Sequence, residues 1–188
     1  MTERLTAESA KFLESRDKAK PFLLYLSYYN IHTPIQSYKK RIEHYNAKAE
    51  KMFKGETPTK SEHEGLTRMR QDNAALASMV AAVDDSVGAL LGKLKELKLD
   101  QNTVVIFFSD NGGGGASDNT PLRGGKGQMF EGGLRVPAII SWPGKLPEGA
   151  VRNQVSHSCD WLPTLTELAG VKLQRKAIDG LRLTNGIK

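Results

Sequence analysis

Thr103-Val104-Val105-Ile106-Phe107-Phe108-Ser109-Asp110-Asn111-Gly112 is the stretch on which the fold turns. Thr103 to Phe108 carry no charge and are rich in β-branched and aromatic residues, which predicts a buried strand. The run then breaks into Asp110-Asn111-Gly112, a strong turn signal. Upstream, Leu76, Val80, Val83, Val87, Leu90, Leu94 and Leu97 alternate by four and three, the apolar stripe of one long helix. A helix that feeds a buried strand predicts an α/β sheet with helices on its faces. In such sheets, ligand-binding residues collect at the carboxyl ends of strands, where Asp110 and Asn111 fall. On pattern alone the plain turn remains the stronger alternative.

The flanking segments extend the same organisation. Residues 2–19 place Leu5, Ala10 and Leu13 among charges and predict an amphipathic helix ended by Lys20-Pro21. Phe22 to Tyr29 is uncharged and aromatic, and predicts a second buried strand with His32 just past its end. Residues 37–60 predict a polar helix and a loop. Ser61-Glu62-His63-Glu64 matches a capping box, placing the start of the long helix there. Gly112 to Gly127 reads as loop, and Val136 to Trp142 as a third strand. Asp160 is a candidate cap for a final helix, with Pro163 in its first turn and Gly170 beyond its last. From Leu173 onward the tail is polar and predicted to be loose.

Composition narrows the classes. A chain of 188 residues with 39 % hydrophobic and 26 % charged residues can bury one core and is not disordered by composition. Net charge is +6, and between Lys39 and Lys60 seven Lys/Arg meet three Glu. Without a binding motif or interleaved stacking aromatics, that excess predicts a solvated face and no nucleic-acid partner. No apolar run is read as a membrane span. The lone Cys159 excludes an intrachain disulfide and a cysteine metal cluster, and is read as a small buried packing residue.

Taken together and in order, several motifs resemble those of the sulfatase family, in the alkaline phosphatase superfamily. They are Pro21 to Leu26, Asn30-Ile31-His32-Thr33-Pro34, Ser109-Asp110-Asn111-Gly112, Arg123-Gly124-Gly125-Lys126-Gly127, Glu131-Gly132-Gly133-Leu134-Arg135, Trp142-Pro143-Gly144 and Asp160 to Leu165. The resemblance runs from about Leu5 to Gly180. It implies the carboxyl-terminal part of a sulfatase catalytic domain over residues 1–188. The implied architecture is an α/β/α sandwich around a mixed, mainly parallel sheet, incomplete on its amino-terminal side.

The resemblance also implies chemistry. The complete protein would be a sulfuric ester hydrolase, arylsulfatase-like or a carbohydrate sulfatase, using calcium and a formylglycine nucleophile. Asp110 and Asn111 would be metal ligands, both offering the oxygen donors that a hard cation takes. Lys126 would contact the sulfate group, and His32 would contact it and protonate the departing ester oxygen. Glu131 and Arg135 would hold the lysine loop. His44, His63 and His157 receive no role, and Asp84-Asp85, mid-helix, is read as structural.

Partners implied are a sulfated small molecule or sulfated carbohydrate, and the family's usual locations are periplasmic, secreted or lysosomal. The family's formylglycine motif, Cys-x-Pro-x-Arg or its serine form, occurs nowhere in the 188 residues. Formylglycine and the paired metal aspartates are therefore expected in an amino-terminal part outside them, and these residues alone are expected to be inactive. Two alternatives stand beside this: a non-catalytic fragment or remnant binding domain, and a phosphodiesterase or phosphonate hydrolase relative. Asn111 weighs against the second, because those relatives commonly carry histidine at its place.

Overall fold

A computed structural model describes residues 1–62, 65–172 and 179–184. The chain divides into two compact units, Met1–Asp100 with Asn111–Pro137, and Gln101–Asp110 with Ala138–Lys188.

In the first unit the organising element is α3, Ala74–Glu96. Asn73 caps it, its side-chain oxygen accepting from the Leu76 N–H at 3.0 Å. Lys93 and Lys95 occupy the last turn, where cations complement the helix dipole. The buried face combines Leu76, Met79, Val83 and Leu94 with the small residues Ser78, Ala81, Ala82 and Ser86. Those small side chains let α1 (Thr2–Ser15) and α2 (Ile42–Met52) pack against it. Leu13 of α1 is 1 % exposed, a burial that stabilises by about 1.5–3 kcal/mol. Each buried hydroxyl of α3 is satisfied: Ser86 meets Thr6 at 2.5 Å and Tyr28 at 2.8 Å, while Ser78 accepts from the Tyr38 N–H at 2.9 Å. Asp85 pairs with Arg41 at 2.8 Å and accepts from the Tyr38 hydroxyl, which is the structural use expected of it.

By length and composition alone, α3 reaches what a membrane crossing requires, with 23 residues that include an 18-residue stretch of mean hydropathy 1.5. The expectation that no apolar stretch does so is corrected. Here the helix is packed by α1 and α2 and carries the Asp85 ion pair, as a core helix does.

The long helix begins later than the capping signature predicts. Ser61 and Glu62 belong to β1 (Thr59–Glu62), which pairs antiparallel with β2 (Gly65–Arg68); His63 and Glu64 lie outside the described residues. Past β2, Asp72 gathers Thr57, Arg68 and Arg70 around one carboxylate, with Thr57 donating at 2.6 Å and Arg70 at 2.8 Å. The Thr57 hydroxyl first, then the two guanidinium groups, hold Asp72 below the usual carboxylate range.

Phe22 to Tyr29 joins no ladder among the described residues, although its exposure alternates as in a strand. Alternate residues are half-buried, whereas Leu23, Tyr25 and Tyr29 are more than two-thirds exposed. An extended segment becomes a strand only when another backbone takes up its N–H and C=O groups.

In the second unit β3 (Val105–Phe108) pairs antiparallel with β4 (Ala138–Ser141), Val105 opposite Ser141 and Phe108 opposite Ala138. Both ladders of the described residues are thus antiparallel, and parallel pairing is not among them. The Phe108 ring lies 5.7 Å from Trp161 at the start of α5, Trp161–Leu168. Gly170, at φ +70°, ends that helix in the left-handed conformation.

Residues 179–184 are tied down where polar composition predicts looseness. Asp160 accepts from the His157 and Leu181 N–H groups, both at 2.7 Å, which lowers its pKa. Thr164 is fully buried and accepts from Leu183 N–H at 2.9 Å. Gly180 passes so close that a Cβ would stand 2.1 Å from the Cys159 carbonyl oxygen. Residues 173–178 of the predicted loose tail lie outside the described residues. Cys159 is exposed, not buried, because this turn sits on the surface with its carboxylate neighbour facing inward.

Candidate functional site

The loop from Gly112 to Gly127 is held by backbone. Gly112 N–H donates to Gly133 O at 2.9 Å, Lys126 N–H to Gly113 O at 2.9 Å, and Gly132 N–H to Arg123 O at 2.8 Å. The short helix α4, Glu131–Leu134, supplies the platform. Its glycines are required by proximity: a Cβ on Gly132 would lie 2.1 Å from Gly124 O, and one on Gly133 would lie 2.3 Å from Gln128 O. Asn119 ties the loop from within, accepting from Gly113 N–H and donating to the carbonyls of Gly113 and Gly124. Gln128 accepts from Gly125 N–H at 2.9 Å, and Arg123 stacks on Phe130 at 3.8 Å.

Glu131 and Arg135, expected to hold this loop, form an exposed ion pair with each other at 3.3 Å. The clamp is the main chain of Gly132 and Gly133 instead. Asn119 and Gln128 escaped sequence reading; the only available signal was an amide side chain within a glycine-rich run.

This framework brings Lys126 to His32. Lys126 Nζ lies 2.8 Å from His32 Nε2, across 94 residues of chain. His32 Nδ1 lies 2.9 Å from the carbonyl oxygen of Thr33, which can only accept. In the tautomer with its proton on Nδ1, the ring donates to that oxygen and Nε2 offers its lone pair to Lys126. Both groups are exposed, on the same unit. A lysine beside an imidazole on an open surface can bind an anion and pass a proton.

Asp110 and Asn111 are consecutive residues directly after Ser109 at the end of β3, Asp110 exposed and Asn111 half-buried. Their donors are all oxygen, a set that fits a hard cation such as calcium. Among the described residues no group of three or more His, Cys, Asp or Glu stands close enough to hold a metal. Of the other histidines, His157 is exposed and its ring accepts from Cys159 N–H, while His44 packs edge-on against Tyr45.

The sulfatase family profile matches residues 1–171. Human (Homo sapiens) steryl-sulfatase is 34 % identical over 96 % of the chain, which spans 28 % of that protein. Pig (Sus scrofa) N-acetylgalactosamine-6-sulfatase is 44 % identical over 55 % of the chain and 21 % of its own length. Among solved structures, Ps i-CgsB in complex with k-i-k-neocarrahexaose superposes with a TM-score of 0.81 at 33 % identity, over 97 % of this chain and 37 % of that one. The chain belongs to the sulfatase family. Its fold is part of that family's α/β fold, and it spans less than two-fifths of the length of these relatives.

Proposed function

We propose that residues 1–188 form part of the catalytic domain of a sulfuric ester hydrolase, with His32 and Lys126 holding the sulfate group. The observation that carries this is the 2.8 Å approach of Lys126 Nζ to His32 Nε2. The Lys126 ammonium neutralises sulfate oxygens, and its stabilisation grows as charge builds on them. Once an anion takes up the ammonium's hydrogen bonds, His32 Nε2 is released. With Nδ1–H anchored on Thr33 O, it can hold a proton facing the departing ester oxygen.

Asp110 and Asn111 would contribute oxygen ligands to a divalent cation, calcium by its preference for oxygen. When bound, that cation would polarise the ester, and a formylglycine from outside these residues would supply the covalent nucleophile. Asn111 favours this over a phosphodiesterase or phosphonate hydrolase reading, since an amide suits calcium better than the zinc or manganese that imidazole attracts.

A sulfated small molecule or sulfated carbohydrate is the substrate class consistent with the steryl-sulfatase, N-acetylgalactosamine-6-sulfatase and neocarrahexaose-bound relatives. The 188-residue chain is expected to turn over no 4-nitrophenyl sulfate, because it holds no formylglycine motif. In a form carrying that motif, His32→Ala and Lys126→Ala should each lower kcat/KM by about 10²–10³. Rates unchanged in both variants would leave the non-catalytic reading standing.

A further inference from the structure

We infer that Asn119 is a positioning residue for Lys126: its amide fixes the segment after Asn111 against the segment before Lys126, and so sets the lysine against His32. The inference rests on the sulfate reading of that pair. All of these residues belong to the first unit.

Asn119 closes three hydrogen bonds on main chain. Its Oδ1 accepts from Gly113 N–H at 3.1 Å, while its Nδ2 donates to Gly113 O at 2.9 Å and to Gly124 O at 3.1 Å. One side chain thereby pairs both backbone groups of Gly113 and reaches across to a second turn. The arrangement takes an acceptor and two donors on one fork, which an amide offers and a carboxylate or hydroxyl does not. The Gly113 carbonyl also accepts from Lys126 N–H at 2.9 Å, so the lysine's own backbone hangs on the group that Asn119 holds. None of the Asn119 bonds touches the side chain of Lys126 or His32, which separates positioning from contact.

The surroundings are shaped for that amide. A Cβ on Gly113 would stand 2.8 Å from Asn119 Oδ1, and one on Gly125 would stand 3.0 Å from Asn119 Nδ2. Glycine on both sides lets the amide lie flush between the two turns. Asn119 is itself fixed from both flanks. Leu122 N–H donates to Asn119 O at 2.9 Å, and Asp118 Oδ1 accepts from Thr120 N–H at 2.9 Å. Gln71, next to Asp72, accepts from Asp118 N–H at 2.9 Å. Lys126 Nζ therefore stands 2.8 Å from His32 Nε2 on a loop that is already ordered, and binding an anion there does not have to order it.

The ring ¹⁵N signals of His32 in the 188-residue chain test this, recorded first without ligand and then as inorganic sulfate is added. Lys126→Ala gives the position of the His32 Nε2 signal without its lysine. Asn119→Asp keeps the shape and the acceptor but turns oxygen, in place of the two donors, toward the Gly113 and Gly124 carbonyls. It is expected to move the Nε2 signal toward the Lys126→Ala position and to weaken sulfate about five- to tenfold, with the α3 amides unchanged. Gln71→Ala, at an exposed side chain outside the loop, should move the same signal the same way by less. That variant decides the matter where the aspartate variant does not fold. A His32 signal and a sulfate affinity equal to those of the unaltered chain would overturn the positioning role. A His32 signal that follows Asn119 in a chain that binds no sulfate would support the positioning role and overturn the sulfate reading alone.

Discussion

Gly132 decides whether the lysine loop can close. Its Cα passes so near the Gly124 carbonyl that any side chain must push the loop away. Gly132→Ala should therefore destabilise the first unit by about 2 kcal/mol or more, as overpacking does. Gly115→Ala, with nothing within 4 Å of the added Cβ, should leave it within about 0.5 kcal/mol. Urea unfolding of the two variants checks this, and equal effects would contradict it. At this scale the candidate site was half legible in sequence. The residue types and glycine spacing of Arg123 to Gly127 were visible, as was His32 at the end of an apolar run. The contact between Lys126 and His32 was not, because a separation of 94 residues leaves no periodic trace.

Among the elements, the β1–β2 hairpin hangs on one carboxylate. Asp72 is held below its ordinary range by Thr57, Arg70 and Arg68. A folded-state pKa below the unfolded value of about 3.9 means that the stabilisation is present above that value. It is lost as pH falls through the lower, folded pKa. The amides of Lys60 and of Met69, which donates to Pro58 O, should thus lose protection relative to α3 as the solution is acidified below about pH 4, and Asp72→Asn should show the same loss at neutral pH. An acid-insensitive hairpin would contradict the clasp.

Sequence reading missed the hairpin because Ser61 to Glu64 imitates a helix start, whereas the true cap, Asn73, lacks a glutamate three residues on. It found β3, β4 and α5 because their ends are marked by turn residues, proline and glycine. It misjudged the tail because Leu183 and Thr184 are buried through long-range bonds to Thr164 and Glu167.

For the whole molecule, two antiparallel ladders leave the backbone of Phe22 to Tyr29 without a strand partner among the described residues. In the 188-residue chain its amides should exchange at least about a hundredfold faster than those of α3, since exchange protection follows backbone pairing. Equal protection would mean that another backbone covers it.

His32 and Lys126 are proposed to form one sulfate site together. The ring nitrogens of His32 report on it directly in ¹⁵N spectra recorded while inorganic sulfate is added. A saturable shift at His32 Nε2 is expected, weakened by added salt as charge screening requires, and lost in Lys126→Ala. A His32 ring that does not respond to sulfate, or responds equally without the lysine, would contradict it.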